Sequence, residues 1–187
     1  LVAYSARPQV EFVEKPKRLF FEVYQAKVAS CIRSVQIEQE GLSGKGVLVG
    51  IVDSGVDYRH PDFCNEDGTT RILKYWDQSV KGNPPKGYYI GTEYTKEQID
   101  EALFLTEEEG RRLVPGRDAS GHGTAVLGIA AGNGRGSKGI NQGVAYESEL
   151  LVVKMGLPRE NSFPRTIELI QGIDYLIRQA QELGRPI

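Results

Sequence analysis

Cysteine is nearly missing from this chain: its 187 residues carry two, Cys31 and Cys64. Two thiols make no disulfide framework, and a chain of this length can bury enough apolar surface to fold without one. Both thiols are therefore expected to be free. No Asn-x-Ser/Thr glycosylation acceptor occurs either, and the two absences together favour a reducing, intracellular setting. Apolar runs such as Leu150 to Val153 fall far short of the roughly 20 residues that span a bilayer. An excess of charge is also lacking: 23 Lys and Arg against 25 Asp and Glu leave a net charge of −2. Nothing in that balance draws the chain to nucleic acid or to an anionic membrane. No signal peptide is visible, but the sequence opens on Leu1 rather than methionine, so targeting is left open. What remains, 40% hydrophobic and 26% charged, is ordinary for a soluble globular protein.

Two short blocks stand out against this plain background. Gly50-Ile-Val-Asp53-Ser-Gly-Val-Asp57 puts a carboxylate at the end of an apolar run and follows it with a glycine turn. Gly121-His122-Gly-Thr124 puts an imidazole between two glycines at the start of an apolar helix pattern. Asp53 would hold His122 in one tautomer and stabilise the imidazolium; His122 would act as general base and then general acid. An imidazole titrates in the useful range for that work. Gly121 and Gly123 are read as room for a substrate backbone. Each residue alone has a plainer reading, a turn aspartate and a helix-start histidine with a structural hydrogen bond. Order and context together outweigh it. His60, set before Pro61, has no evident relay partner and is read as structural. A nucleophilic serine should follow the histidine. No segment after His122 reads as a nucleophile motif, so the chain is expected to be inactive by itself.

These blocks resemble those of the subtilisin-like (subtilase) serine peptidases. Val47 to Asp57 with His60-Pro-Asp62-Phe63 is similar to the family's aspartate block. Asp118-Ala-Ser-Gly-His122-Gly-Thr-Ala-Val-Leu-Gly-Ile-Ala-Ala-Gly132 is similar to its histidine block, and Gln142 to Met155 to the strand that follows. Arg71-Ile-Leu-Lys-Tyr-Trp76-Asp-Gln78, with Gly91-Thr-Glu-Tyr94-Thr, further resembles the clostridial branch that includes the germination-specific Csp peptidases. The resemblance covers about residues 41–187, and Ala125 departs from it where a second histidine is frequent. It implies a serine endopeptidase with an Asp-His-Ser triad, of which Asp53 and His122 are the catalytic residues present. It implies a protein or peptide substrate, the C-terminal remainder of the same catalytic domain as partner, and an intracellular or spore-associated place. No cofactor is required. A structural Ca²⁺ is implied at the position of Asp62, with the 132–142 loop, although Arg135 and Lys138 in that loop oppose a cation. Asp57 is read as a solvated turn residue. The alternative is a catalytically inactive subtilase serving as a binding or signalling module.

The chain order predicts an α/β fold: a doubly wound parallel sheet, subtilisin-like, truncated before the nucleophile region. Gln9 to Val13 and Leu19 to Tyr24 are candidate strands around a turn at Glu14 to Lys17, and residues 1–40 are taken as a propeptide end and lead-in. Val47 to Val52 reads as a central parallel strand buried on both faces. A helix follows at Thr124 to Ala131 and a strand at Leu150 to Lys154. The last helix, Thr166 to Ala180, should bury Ile167, Ile170, Ile173, Leu176, Ile177 and Ala180, with Gly184 closing it. Asp53 and His122 are 69 positions apart, more than the resemblance leads one to expect. The excess, about 64–117, is read as an insertion at the rim of the site. A short helix there is capped by Thr95 and Gln98, and Trp76, Tyr75, Tyr88 and Tyr89 anchor the segment by burial. The glycines at 41–46 and 132–139 are no P-loop, since no Gly-Lys-Ser/Thr follows a strand.

Overall fold

A computed structural model of the chain describes residues 27–37, 41–156 and 166–187. The strands expected at 9–13 and 19–24, and the turn between them, lie outside these residues. In chain order the elements are α1 (Ile32–Ile37), β1 (Leu48–Asp53), β2 (Ile72–Asp77), β3 (Thr92–Thr95), α2 (Lys96–Phe104), α3 (Glu107–Leu113), α4 (His122–Ala131), β4 (Glu149–Lys154) and α5 (Thr166–Leu183). Short 3-10 turns occupy Pro61–Phe63 and Arg135–Ser137.

The sheet runs β1-β4-β2-β3. β1, β4 and β2 are parallel, and β3 closes antiparallel on β2. β4 lies inside, and its alternation explains the two layers. Leu150 and Val152 face a core built with α2 and α4, while Leu151 and Val153 face another built with α5. All four are fully buried, as a strand covered on both faces requires. The fold is therefore doubly wound. β2 joins both layers through a bulge: Ile72 pairs with Leu150 and Lys74 with Leu151, so Leu73 is the extra residue. The bulge resets the alternation, putting Ile72 and Tyr75 in the α4 layer and Leu73 and Trp76 in the α5 layer.

Three expectations are corrected here. The first is the reading of 64–117 as an insertion looped out at the rim. This segment supplies β2 and β3, and Tyr75 and Trp76 are fully buried in the two cores. Tyr88 joins them, but Tyr89 is 93% exposed and anchors nothing. The second is the burial of β1 on both faces: among the described residues it lies beyond β4 and is half-buried. Its outer side begins to be covered by the chain end, where the Leu48 N–H donates to the Pro186 carbonyl at 2.9 Å.

The third concerns α5. It buries Gly172, Tyr175, Leu176 and Ala180 and leaves Ile167, Ile170, Ile173 and Ile177 exposed. Gly172 decides the rotation: a Cβ there would meet Val52 Cγ1 at 2.8 Å, so the helix approaches the sheet along its glycine. Tyr175 follows onto Trp76 and Tyr88, with ring centroids at 5.0 and 5.9 Å. Gly184 (φ 62) ends the helix as expected, with Arg185 N–H donating to the Ala180 carbonyl in the pattern of a left-handed C-terminal cap.

Candidate active site

Parallel strands deliver their carboxyl ends to one edge, and that edge is where an open α/β sheet places reactive groups. Asp53 is the last residue of β1, and His122 is the first of α4. The structure brings the two together: Nδ1 of His122 lies 2.8 Å from Oδ1 and 3.1 Å from Oδ2 of Asp53. With Nδ1 given to the carboxylate, neutral His122 carries its proton there and leaves the Nε2 lone pair outward. The imidazole side chain is 68% exposed, against 19% for Asp53. The hydrogen bond and charge of Asp53 hold the imidazole pKa above its usual value. Burial works to raise that of Asp53, but hydrogen bonds from His122 and Ser54 outweigh it and keep the carboxyl below the ordinary range.

Glycines let the two elements meet, for reasons the sequence reading missed. A Cβ on Gly123 would come within 2.1 Å of the Gly55 carbonyl oxygen and 3.1 Å of Asp53 Cβ. The room at Gly123 is filled by the protein's own backbone, which corrects its assignment to substrate. Gly121 has open space around it but φ of +74, a conformation that favours glycine. Gly55 (φ +113) is pressed between the Arg117 carbonyl, the Lys154 side chain and the Tyr75 hydroxyl.

Several further groups shape this edge. Asp118 accepts from Ser54 Oγ at 2.8 Å, Gly121 N–H at 2.9 Å and both the N–H and hydroxyl of Thr124 at 2.8 and 2.7 Å. Burial opposes its charge, but the Thr124, Ser54 and Ser120 bonds hold its pKa at about 2. Lys154, buried at the end of β4, donates to the Arg117 carbonyl. The α2–α3 hairpin is tied to the turn after Asp53: Arg111 pairs with Asp57 at 3.1 Å, and Tyr58 donates to the Val114 carbonyl at 3.1 Å. Asp57 is thus a paired turn residue, its side chain still part-exposed. Neither Lys154 nor Arg111 carries a sequence signal of this role. Asp118 had one, since an aspartate three positions before Gly121 and four before His122 suits a loop that turns into a helix start.

His60 stays structural. Its Nδ1 accepts the Asp62 N–H at 3.2 Å, capping the 3-10 turn, and its ring lies 5.6 Å from that of Phe63. The site implied for Ca²⁺ does not fit that ion. Asp62 is buried, and its Oδ1 already accepts the Gly136 N–H at 2.7 Å. In the 132–142 loop the carbonyls of Gly132, Asn133, Gly134 and Ser137 accept from Gly143, Gln142, Ser137 and Ile140, and carbonyls outside the loop are taken by guanidinium groups. Arg135 reaches those of Cys64 and Asn65, and Arg71 those of Asp62, Ala131 and Ser148. Among the described residues no cluster of three His, Cys, Asp or Glu side chains gathers anywhere. A hard cation needs six to eight oxygen ligands, and here the positive charge is built in.

Comparison with known proteins agrees with this geometry. The family model described as the subtilase family matches residues 44–182. The chain is 28% identical over 152 residues to the major intracellular serine protease of Bacillus subtilis, covering 81% of this chain and 37% of that protein. It is 28% identical over 140 residues to the subtilisin-like protease PopC of Myxococcus xanthus, covering 75% and 22%. Among solved structures, that of the Clostridium perfringens CspB protease superposes with a TM-score of 0.74 at 35% identity, over 87% of this chain and 31% of that one. The chain thus spans about a third or less of the length of these relatives. With the fold, the edge-placed aspartate and histidine, and a family match over most of its length, the chain belongs to the subtilase family.

Proposed function

We propose that this chain is the amino-terminal part of the catalytic domain of a subtilisin-type serine endopeptidase, with Asp53 and His122 as its acid–base pair. The observation that carries the reading is the Nδ1–carboxylate contact at 2.8 Å with the other ring nitrogen turned outward. A serine hydroxyl placed against Nε2 would give its proton to His122 as it attacks a peptide carbonyl. Asp53 would stabilise the imidazolium, and His122 would return the proton to the leaving amine. The serine, and the donors that stabilise the oxyanion, come from the remainder of the catalytic domain. In this reading residues 41–187 are the amino-terminal portion of that domain, and 1–40 a propeptide end and lead-in. Its substrates are proteins or peptides, as the names of its relatives support. An intracellular place accords with the name of one relative, the major intracellular serine protease. No helix among the described residues is long and apolar enough to cross a membrane.

The test is a pair of measurements. The 187-residue chain should hydrolyse no peptide. A longer form that includes the remainder of the domain should hydrolyse peptides, be blocked by a fluorophosphonate, and lose turnover in a His122→Ala variant. Hydrolysis by the longer form that survives His122→Ala would overturn the assignment.

A further inference from the structure

An exposed histidine and a half-open carboxylate on separate elements do not stay aligned by themselves; something must hold the start of α4 against the turn after β1. We propose that Asp118 is the positioning residue of the Asp53–His122 pair, a single carboxylate that fastens both partners' backbones to one another. It touches neither reacting atom, and the inference rests on the reading of this pair as catalytic.

The bonds divide between the two sides. On the helix side Asp118 Oδ1 accepts the Gly121 N–H at 2.9 Å, and Oδ2 accepts the Thr124 N–H at 2.8 Å and hydroxyl at 2.7 Å. On the strand side Oδ1 accepts the Ser54 hydroxyl at 2.8 Å. Each bridging side chain then reaches across. Ser54 Oγ accepts the Gly123 N–H at 3.2 Å, while the Ser54 N–H donates to Asp53 Oδ1 at 2.7 Å. Thr124 Oγ1 accepts the Asp57 N–H at 3.0 Å. Ser120 Oγ lies 3.0 Å from Asp118 Oδ1 and 2.9 Å from Ser54 Oγ, and accepts the His122 N–H at 3.1 Å. A plain helix cap would need only the Gly121 and Thr124 contacts. The Ser54 and Asp57 links have no capping purpose. They join the turn that carries Asp53 to the turn of helix that carries His122.

The chemistry requires a carboxylate. Both oxygens accept, each from more than one donor, and every partner is an N–H or O–H. An amide offers one accepting oxygen and would aim its NH₂ at donors on the other side. The low pKa of Asp118, about 2, keeps it ionised wherever a peptidase of this type works, and the negative charge also suits the amino end of α4.

The test reads the pair itself. His60 and His122 are the two histidines, so imidazole NMR titration of the 187-residue chain resolves His122 against an internal reference. Asp53→Asn should lower the His122 midpoint toward the ordinary value. Asp118→Asn should lower it as well, with Asp53 intact. Asp118 also acts on His122 through its charge, so the deciding comparison is the double variant. In the Asp53→Asn background, Asp118→Asn should add little, because the contact it positions is already gone. An equal shift in both backgrounds, or no shift in either, overturns the proposal. Should Asp118→Asn fail to fold, Ser54→Ala and Ser120→Ala each remove one link and should move the midpoint the same way; an unmoved midpoint in both overturns it too. In the longer, serine-bearing form, Asp118→Asn should cut kcat on the order of a hundredfold with KM nearly unchanged, as misplacement by about 1 Å does. If the midpoint moves as expected while that form hydrolyses nothing, the positioning stands and the peptidase reading falls.

Discussion

The two ends of α4 are held by opposite chemistry. At its amino end the Asp118 carboxylate collects N–H and hydroxyl donors at the functional edge of the sheet. At its carboxyl end the Arg71 guanidinium collects the carbonyls of Ala131, Asp62 and Ser148 at the opposite edge. Both charges complement the helix dipole, and both satisfy backbone groups that a helix terminus leaves orphaned. Their surroundings differ. Arg71 is 5% exposed, and burial pulls its pKa down from the usual arginine value. His122 and Ser120, beside Asp118, are open to solvent. The Arg71 end is therefore built for stability. The Asp118 end leaves the His122 ring uncovered.

The sharpest way to break this comparison is to remove one residue at each end. Arg71→Ala orphans the buried carbonyls of Ala131 and Ser148, while that of Asp62 keeps the Asn133 N–H; at about 1–3 kcal/mol each it should cost about 2 kcal/mol or more and lower the urea midpoint steeply. His122→Ala touches an exposed side chain, so it should move the urea midpoint far less while ending turnover in the longer form. Comparable losses of stability from both would erase the distinction.

Gly123→Ala should come next. Its methyl group would meet the Gly55 carbonyl, and relieving such an overlap costs about 1–3 kcal/mol. It should also push α4 off β1, so the thermal midpoint falls and the His122 titration moves toward its ordinary value together. A loss of stability with an unmoved titration would mean that Gly123 serves packing alone.

A smaller effect should appear in pH dependence. The base must be neutral, and Asp53 holds the His122 pKa above the usual 6.5, so the acid limb of kcat/KM in the longer form should lie above pH 6.5. The linkage to stability has two signs. The contribution of His122 is fully present below 6.5 and is lost as pH rises through its raised value. That of Asp118 is present above 3.8 and is lost as pH falls through about 2. Melting curves of Asp118→Asn and of the parent chain should therefore converge at strongly acid pH.

The smallest effect belongs to calcium. With Arg71 and Arg135 on the carbonyls near Asp62, neither millimolar Ca²⁺ nor EDTA should shift the melting temperature. A rise with Ca²⁺ at submillimolar concentration would show that oxygen ligands are free there after all, by the linkage of binding to stability.

Much of the site was legible because residues at strand ends and helix starts carry local signatures. A strand-end aspartate before a glycine turn and a histidine at a helix start are visible in a few residues each. The Thr95 helix was legible for the same reason; Gln98 accepts the Thr95 N–H at 2.9 Å as a capping box directs. α3 carries the same signature at Thr106 and Glu109, set within an acidic first turn. The region 64–117 misled by composition. Polar residues and glycines dominate it, yet Tyr75 and Trp76 in β2 pair with Val152 and Val153 of β4, a partner that follows some 75 residues later.

By itself the sequence determined what depends on neighbours in the chain: the α/β alternation, the helix starts and stops, and the identities of Asp53 and His122. Only the tertiary structure decided what depends on neighbours in space. It placed β4 and β2 inside the sheet, turned α5 onto Gly172 rather than its isoleucines, and gave Asp118 and Arg71 their opposite ends of one helix. The physical reason is that hydrophobic periodicity and capping act within a turn or two of chain. A hydrogen bond from Arg71 to Ser148, or from Ser54 to Asp118, spans 77 or 64 positions and exists only once the sheet has brought its ends together.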